Sequence, residues 1–485
     1  MTLRDLVGEG RSTACAGRSE LTLEGWGTMV EALPHAAARL CGLWADGVQV
    51  HALFYDGTGP FMASVGVADG RYHALSPWCP GAGAYERIIH DLWGIEAMGA
   101  SGTAPWLDQG RWGMTWPLRD RAPPAPPAPD GVEFADGPVM ERAGGTMLGY
   151  GPAEGGFHAP LHLRLGLPGQ GILQVHPRMG YAHRGLCARM RGNTLAEGGH
   201  LAARIDAGAT VAHQLAFARA VAAAGGTDSP GGGAIVPAEL ERVATHLDVL
   251  AQMADMLGDG RLASQAATLL EGVRQLCHAA YGHRLLFDVL PIRSTAVLAP
   301  QVLEELQMGC MALRRLFWRP RGLAAQLMGR GVLPAATARQ WGIAGCAGRA
   351  SGGEADLRRH DPLYAPGWLA HSPRTDGDMT ARLATRLHEL GESMEILRTV
   401  AAVPALPAQP PAEDMCGEGL GLAEGPAGPV WHWLRVHDGR IAAWWCGDPS
   451  LAHIQALPAI LSGAVYEDVA PILTSLGLSA AGADL

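Results

Sequence analysis

The sequence predicts an α+β protein: a small N-terminal α+β domain, then a large, mainly helical domain with peripheral antiparallel strands. Three observations predict this. Apolar residues alternate over 48–55 and again over 61–67, on either side of an Asp56-Gly57 turn, as in a hairpin. The stretch 119–132, RDRAPPAPPAPDGV, is too rich in proline to join a sheet or helix interior and marks a domain boundary. Most of the chain from there to about residue 402 has helical spacing of its apolar residues.

Taken in order, residues 20–118 form the first unit, with the hairpin and a short helix over 86–92 that stops at Gly94. The linker runs over 119–136 and the second domain over 137–485. Strands at 161–167 and 171–175 flank the Pro168-Gly169 turn. Helices are expected over 210–223, 237–256, 261–280, 300–316 and 380–403. A Pro-rich insert, 403–415, follows. Strands return at 430–436 and 440–445 around His437-Asp438-Gly439, and a helix over 451–461 precedes a short tail. The helix at 210 draws attention because the loop Arg204-Ile205-Asp206-Ala207-Gly208-Ala209 feeds it, with Thr210 as the expected N-cap. A helix N-terminus aimed by such a loop suits a charged or redox group.

Composition narrows the function classes. A chain of 485 residues has room for two or three domains. The net charge of −10 argues against nucleic acid as the main partner. Every basic side chain other than histidine is arginine; there is no lysine. The nine cysteines are scattered, with no C-x-x-C pair, so neither a disulfide framework nor a zinc site is expected. The chain has no apolar run of about 18 residues to span a membrane, and its first residues, MTLRDLVGEGRS, do not read as a secretory signal.

Several motifs, in order, resemble a known family. Tyr85-Glu86-Arg87-Ile88-Ile89-His90-Asp91-Leu92-Trp93-Gly94-Ile95 is similar to the E-R-E-x-x-D-L-F-G-I signature of the 30 kDa subunit of respiratory complex I. Gly151-Pro152 through Pro160-Leu161-His162-Leu163-Arg164 resembles the opening of the large subunit of group 4 membrane-bound nickel–iron hydrogenases. Tyr181-Ala182-His183-Arg184-Gly185 resembles the Y-x-H-R-G motif that those enzymes share with the 49 kDa subunit of complex I. Leu240-Glu241-Arg242 with His246-Leu247, the Arg349-Ala350-Ser351-Gly352 loop with Asp356 and Arg358, and Gly377-Asp378 with Arg382 continue the series. The fused arrangement looks most like the formate-hydrogenlyase or hydrogenase-4 type.

The resemblance also marks what is different. The family's two thiolate pairs, needed because nickel and low-spin iron take soft ligands, fall on Asp206 and Ala209 and on Ser479 and Gly482. Its acidic proton-relay position falls on Ala159 and its active-site arginine on Ala427. Hydrogen turnover is therefore not expected. Complex I uses the corresponding cavity for quinone, but its quinone-contacting tyrosine falls here on Ala207. The resemblance implies a subunit of a membrane-associated oxidoreductase, peripheral to the cytoplasmic membrane face, that acts with a quinone or another acceptor, or a catalytically silent scaffold. Its implied partners are a small subunit carrying a 4Fe–4S cluster and antiporter-like membrane subunits; no metal is assigned to this chain.

Asp206, His162 and Arg349 are the expected catalytic residues, and His158, His213 and Asp356 the expected cofactor-binding ones. Each has a plainer reading beside it. Asp206 would pair with Arg204 or hold a turn, His213 would be a satisfied core histidine, and His162 would bond a backbone carbonyl. Arg349, Asp356 and Arg358 would form a buried ion-pair network. His432 and His437 have no metal-ligand spacing to cysteine or carboxylate along the chain, and Trp431, Trp433, Trp444 and Trp445 read as core and interface.

Overall fold

The computed structural model describes residues 1–124, 144–153, 159–225, 229–290, 298–370, 374–400, 412 and 414–485. His158 and most of both Pro-rich stretches lie outside these residues. The N-terminal part is a five-stranded sheet built from β1 (Arg11–Ser12), β2 (Arg18–Leu21), β3 (Arg39–Ala45), β4 (Gln49–Asp56) and β5 (Gly59–Gly66). Its order is β1-β2-β5-β4-β3, with only the β2–β5 pair parallel. The sheet thus begins upstream of residue 20. The expected hairpin is β4–β5: Asp56 turns it, its Oδ1 accepting from the Thr58 amide at 2.8 Å. The expected short helix is Gly83–Trp93, ended by Gly94 at φ 66°. Two short parallel strands, β6 (Arg71–His73) and β7 (Glu96–Met98), flank it.

In the second part, β8 (Thr146–Tyr150), β9 (His162–Leu167) and β10 (Gln174–Arg178) form an antiparallel sheet. The strand expected at 171–175 starts at Gln174 instead, because Ile172 is engaged elsewhere: its amide donates to Ala464 and its carbonyl accepts from Gly463. Helices Thr210–Ala223, Ile235–Met256, Gly260–Tyr281, Pro300–Phe317 and Met379–Val400 follow the sequence expectation closely. Met379–Val400 is buried on almost every side and so shows no single apolar stripe. It carries Arg382, Arg386 and Glu389 into the interior. Among the described residues no helix is long and apolar enough to cross a membrane.

A third sheet contains β11 (Gly417–Glu424), β12 (Pro429–His437) and β13 (Arg440–Gly447), in that order and antiparallel. Sequence reading misses β11, since GEGLGLAE lacks the β-branched residues that mark a strand. Its glycines have a different purpose. A Cβ on Gly417, Gly419 or Gly421 would stand 2.1 Å from the carbonyl oxygen of Ala224, Ala220 or Ala216, so the Thr210–Ala223 helix lies directly on the strand backbone. These alternate strand residues form one face, and alanines four apart on the helix form the facing ridge. The expected tail after residue 461 is instead two further helices, Val469–Leu476 and Ala480–Asp484.

The N-terminal and third sheets are locked by aromatics. Trp44 packs on Trp431 and Trp433 with ring centroids 4.8 and 5.6 Å apart, and the Trp431 indole donates to the Cys41 carbonyl at 3.1 Å. Buried Arg18–Glu418 and half-buried Arg435–Asp46 ion pairs close the seam's edge. The tryptophans are core and interface residues, as expected.

Gly421→Ala is expected to destabilise the chain by about 1–3 kcal/mol through overpacking against the helix backbone. Gly57→Ala, where a Cβ meets nothing within 4 Å, should leave the melting temperature close to that of the parent. Equal melting temperatures for both variants would refute the close approach.

Candidate functional site

The loop at 204–209 and the chain around Ser479 converge. Ser479 Oγ donates to Asp206 Oδ1 at 3.0 Å, and the same oxygen accepts from the Gly208 amide at 3.2 Å. Arg184 staples both segments, its guanidinium donating to the carbonyls of Arg204, Ile205 and Ala481. Asp206 does not pair with Arg204, which binds Asp288 on the surface. Thr210 is not the N-cap either. It is the first helical residue, its hydroxyl bonded to the Asp206 carbonyl, and buried Glu241 accepts the Val211 and Ala212 amides in the cap's place. Burial pushes the Glu241 carboxyl up to about 8, against the two amides that favour its anion.

A second carboxylate stands beside the first. Asp448 caps the Pro449–Ile460 helix by accepting the Ser450 amide at 2.8 Å. A Cβ on Gly482 would lie 2.5 Å from its carboxyl carbon. His213 Nε2 faces Asp448 Oδ2 at 3.5 Å. Behind it, His213 Nδ1 is 3.0 Å from His432 Nε2, and the Trp444 indole lies 3.1 Å from His432 Nδ1. An indole N–H only donates. His432 must therefore accept at Nδ1 and carry its proton on Nε2, His213 accepts that proton's bond at Nδ1, and the His213 proton points at Asp448. Burial, then the neighbouring His213, holds His432 well below its ordinary value, so it stays neutral.

The two carboxylates are driven apart. Burial would raise Asp448, but His213 and the Ser450 contacts bring it below its usual range. Asp206 is raised, first by burial and then by the charge of Asp448. The two carboxyls are thus shifted in opposite directions, the pattern by which paired carboxyls come to differ in proton affinity. Asp448 also lines a cavity of about 380 Å³ between the first and third sheets, walled by Tyr55, Tyr85, Trp341, Ile343 and Trp431. That volume falls within the small-molecule range.

The other expected residues are placed differently. His213 joins the Asp206–Asp448 cluster as a buried positioning group. His162 is on β9, with Nδ1 bonded to the Gly151 carbonyl at 3.0 Å and its ring edge-on to Tyr181. Arg349 binds Glu389 at 2.7 Å and Glu424 at 2.8 Å, with Asp356 3.6 Å away, and Asp356 in turn binds Arg358. Arg242, His246 and Arg386 extend this interior network through Glu389. Despite burial, Arg349 and its neighbours keep Glu389 ionised. Sequence reading did not single out Asp448, Glu241, His432 or Trp444 as site residues; Glu241 and Asp448 stood only within stretches that resemble the family, and His432 and Trp444 carried no signal of a site.

Arg349→Met should destabilise the chain by about 3–5 kcal/mol by leaving Glu389 and Glu424 uncompensated. Arg349→Lys should recover little, because one ammonium cannot reproduce the forked contacts; full thermal stability of the Met variant would refute the network. For pH, the raised Glu241 and Asp206 carboxyls favour folding when protonated. Their contribution is therefore fully present below about pH 4 and is lost as pH rises, for Glu241 up to about 8, at up to about 1.4 kcal/mol per unit for each proton. Glu241→Gln should flatten that decline; a melting-temperature difference from the parent that is constant between pH 5 and 8 would refute the assignment.

Comparison with known proteins gives the setting. Residues 294–416 match the family described as respiratory-chain NADH dehydrogenase, 49 Kd subunit. An NADH-quinone oxidoreductase subunit of Salinispora arenicola is 28% identical over 376 residues, covering 71% of this chain and 97% of that protein. An F(420)H(2) dehydrogenase subunit of Methanosarcina mazei is 23% identical over 363 residues, covering 70% and 97%. In fold, the chain resembles one from the membrane-bound sulfane sulfur reductase, an archaeal respiratory membrane complex, with a TM-score of 0.64 at 20% identity, covering 70% of this chain and 98% of that one. These matches agree in what the chain is similar to: the 49 kDa subunit of respiratory-chain NADH dehydrogenase and the corresponding subunits of related complexes.

Proposed function

We propose that this chain is the electron-transfer subunit of a membrane-associated, complex I-like oxidoreductase, and that Asp206 supplies the proton when a quinone or another acceptor is reduced. The observation that carries the reading is the carboxyl pair: Asp448, faced by His213 at 3.5 Å and drawn below the usual carboxylate range, and Asp206, bonded to Ser479 and pushed above that range by burial and by Asp448. Reduction of a quinone needs proton donors at its oxygens, and Ala207, in place of the relatives' tyrosine, has none to give.

A nickel–iron centre does not fit the residues present. At the four positions the resemblance marks for thiolates, Asp206 and Ser479 bond each other, Ala209 is apolar and buried, and position 482 has no space for a side chain beside Asp448. Hard, mutually bonded oxygens do not replace soft bridging sulfur. The N-terminal sheet is the 30 kDa-like domain in this reading, fused as in formate-hydrogenlyase-type large subunits. A small subunit with a 4Fe–4S cluster would deliver the electrons, and antiporter-like subunits would anchor the assembly at the cytoplasmic membrane face. His162 and Arg349 then shape the surroundings rather than react, since both are committed to internal partners.

A second reading, a catalytically silent scaffold, draws on the same closure of Asp206 by Ser479 and on the self-satisfied arginine network. The purified complex with its partners separates the two. Quinone-dependent oxidation that declines at alkaline pH, and falls about a hundredfold with loss of that decline in Asp206→Asn, supports the first. An assembled complex with no acceptor reduction supports the scaffold. Nickel at one equivalent per chain would overturn both.

A further inference from the structure

Three clusters of histidine, cysteine and carboxylate have donor atoms close enough together to share a metal ion: His213/His432/Cys446, His246/Cys346/Glu389 and Cys416/His437/Asp438. Hydrogen-bond direction excludes the first two. To ligate through Nε2, His432 would have to carry its proton on Nδ1, against the Trp444 indole N–H. His246 would meet the same conflict with the Arg386 guanidinium, which donates to its Nδ1 while Nε2 faces Glu389. Only in the third cluster does no donor-only group occupy the histidine nitrogen.

That third cluster is made by the strand that sequence reading missed. Pairing of Gly417 with Val436 in the β11–β12 ladder brings Cys416, just before β11, alongside His437 at the end of β12. Asp438 and Gly439 make the tight β12–β13 turn, both with positive φ (48° and 67°), the conformation that an Asp-Gly hairpin favours. The turn is pinned across to the other strand: the Gly439 amide donates to the Met415 carbonyl at 2.9 Å, and the Asp438 amide to Cys416 Sγ at 3.3 Å.

Three different donor residues result: Cys416 Sγ stands 3.9 Å from His437 Nδ1 and 3.8 Å from Asp438 Oδ1, while the other oxygen of that carboxylate, Oδ2, lies 3.3 Å from His437 Nδ1. A tetrahedral ion with ordinary zinc bond lengths requires about 3.6 Å between sulfur and either light donor and about 3.3 Å between nitrogen and oxygen. The two sulfur separations agree to a few tenths of an ångström, and one ligand atom from each of the three residues lies within 4.8 Å of the other two. All three residues are exposed, so an ion has direct access and pays little in reorganisation.

We propose that Cys416, His437 and Asp438 form a surface site for a zinc-class divalent ion, with three protein donors and a fourth position held by water. Thiolate, imidazole and carboxylate together select a borderline ion over magnesium or calcium, which prefer oxygen donors alone. Binding releases the thiol proton and ties the start of β11 to the β12–β13 turn, so the metal acts as a clip on the third sheet.

The test uses the full chain, first with zinc in competition against a chromophoric chelator and then with cobalt as a spectroscopic probe. One equivalent should bind, and cobalt should show thiolate charge-transfer absorption. Cys416→Ser should abolish that band, and Cys416→Ser and His437→Ala should each weaken zinc binding by at least about tenfold, the loss that even an outer-shell partner causes. Because the side chains are exposed, the variants should melt with the metal-free parent. Absence of the charge-transfer band, or unchanged zinc affinity in Cys416→Ser, overturns the proposal.

Discussion

The close approach of the Thr210–Ala223 helix to β11 governs much of the second domain. A helix against a sheet normally stands off by the thickness of its side chains; here three alternate glycines remove that spacer and bring backbone to backbone. His213 thereby reaches His432 on the neighbouring strand, and the loop ahead of the helix reaches Ser479. Small alanines on the helix face complete the fit. The contact has little adaptability, since neither partner has a side chain that can move aside.

Around this seam the interior is unusually ionic. Arg242, Arg349 and Arg358 share Glu239, Glu389, Asp356 and Glu424, and Arg386 reaches Glu389 through His246. Burying each charge alone is costly, and the group is tolerable only because nearly every member has a forked or multiple partner. All the fixed cations are guanidinium groups, which do not give up a proton in proteins. Proton movement within this interior is therefore left to carboxyls, histidines and hydroxyls.

The long amphipathic helices, the β4–β5 hairpin and the β12–β13 hairpin were legible because each displays its own periodicity and turn chemistry. β11 was not, since its alternation is between glycine and other residues and answers to a helix 200 residues away. The candidate site was legible in part. The loop at 204–209 announced itself by position, and Arg349 with Asp356 by motif; the plainer reading of those two, an ion-pair network, is what the fold contains. His432 and Trp444 have no local signal of function, and Asp448 had only its place in a stretch that resembles the family. They acquire a role only through long-range pairing, as do Cys416 and His437.

Trp444 sets a limit on the chain of rings that ends at Asp448. A proton can travel along hydrogen-bonded imidazoles only if each ring receives one at one nitrogen as it releases one at the other, and the indole at the far end has none to release. The row Trp444, His432, His213 therefore conducts nothing; it is a polarisable backing, closer to the plate of a capacitor than to a wire. Charge placed on Asp448 is held there by oriented dipoles, and no proton reaches or leaves it through this row of rings.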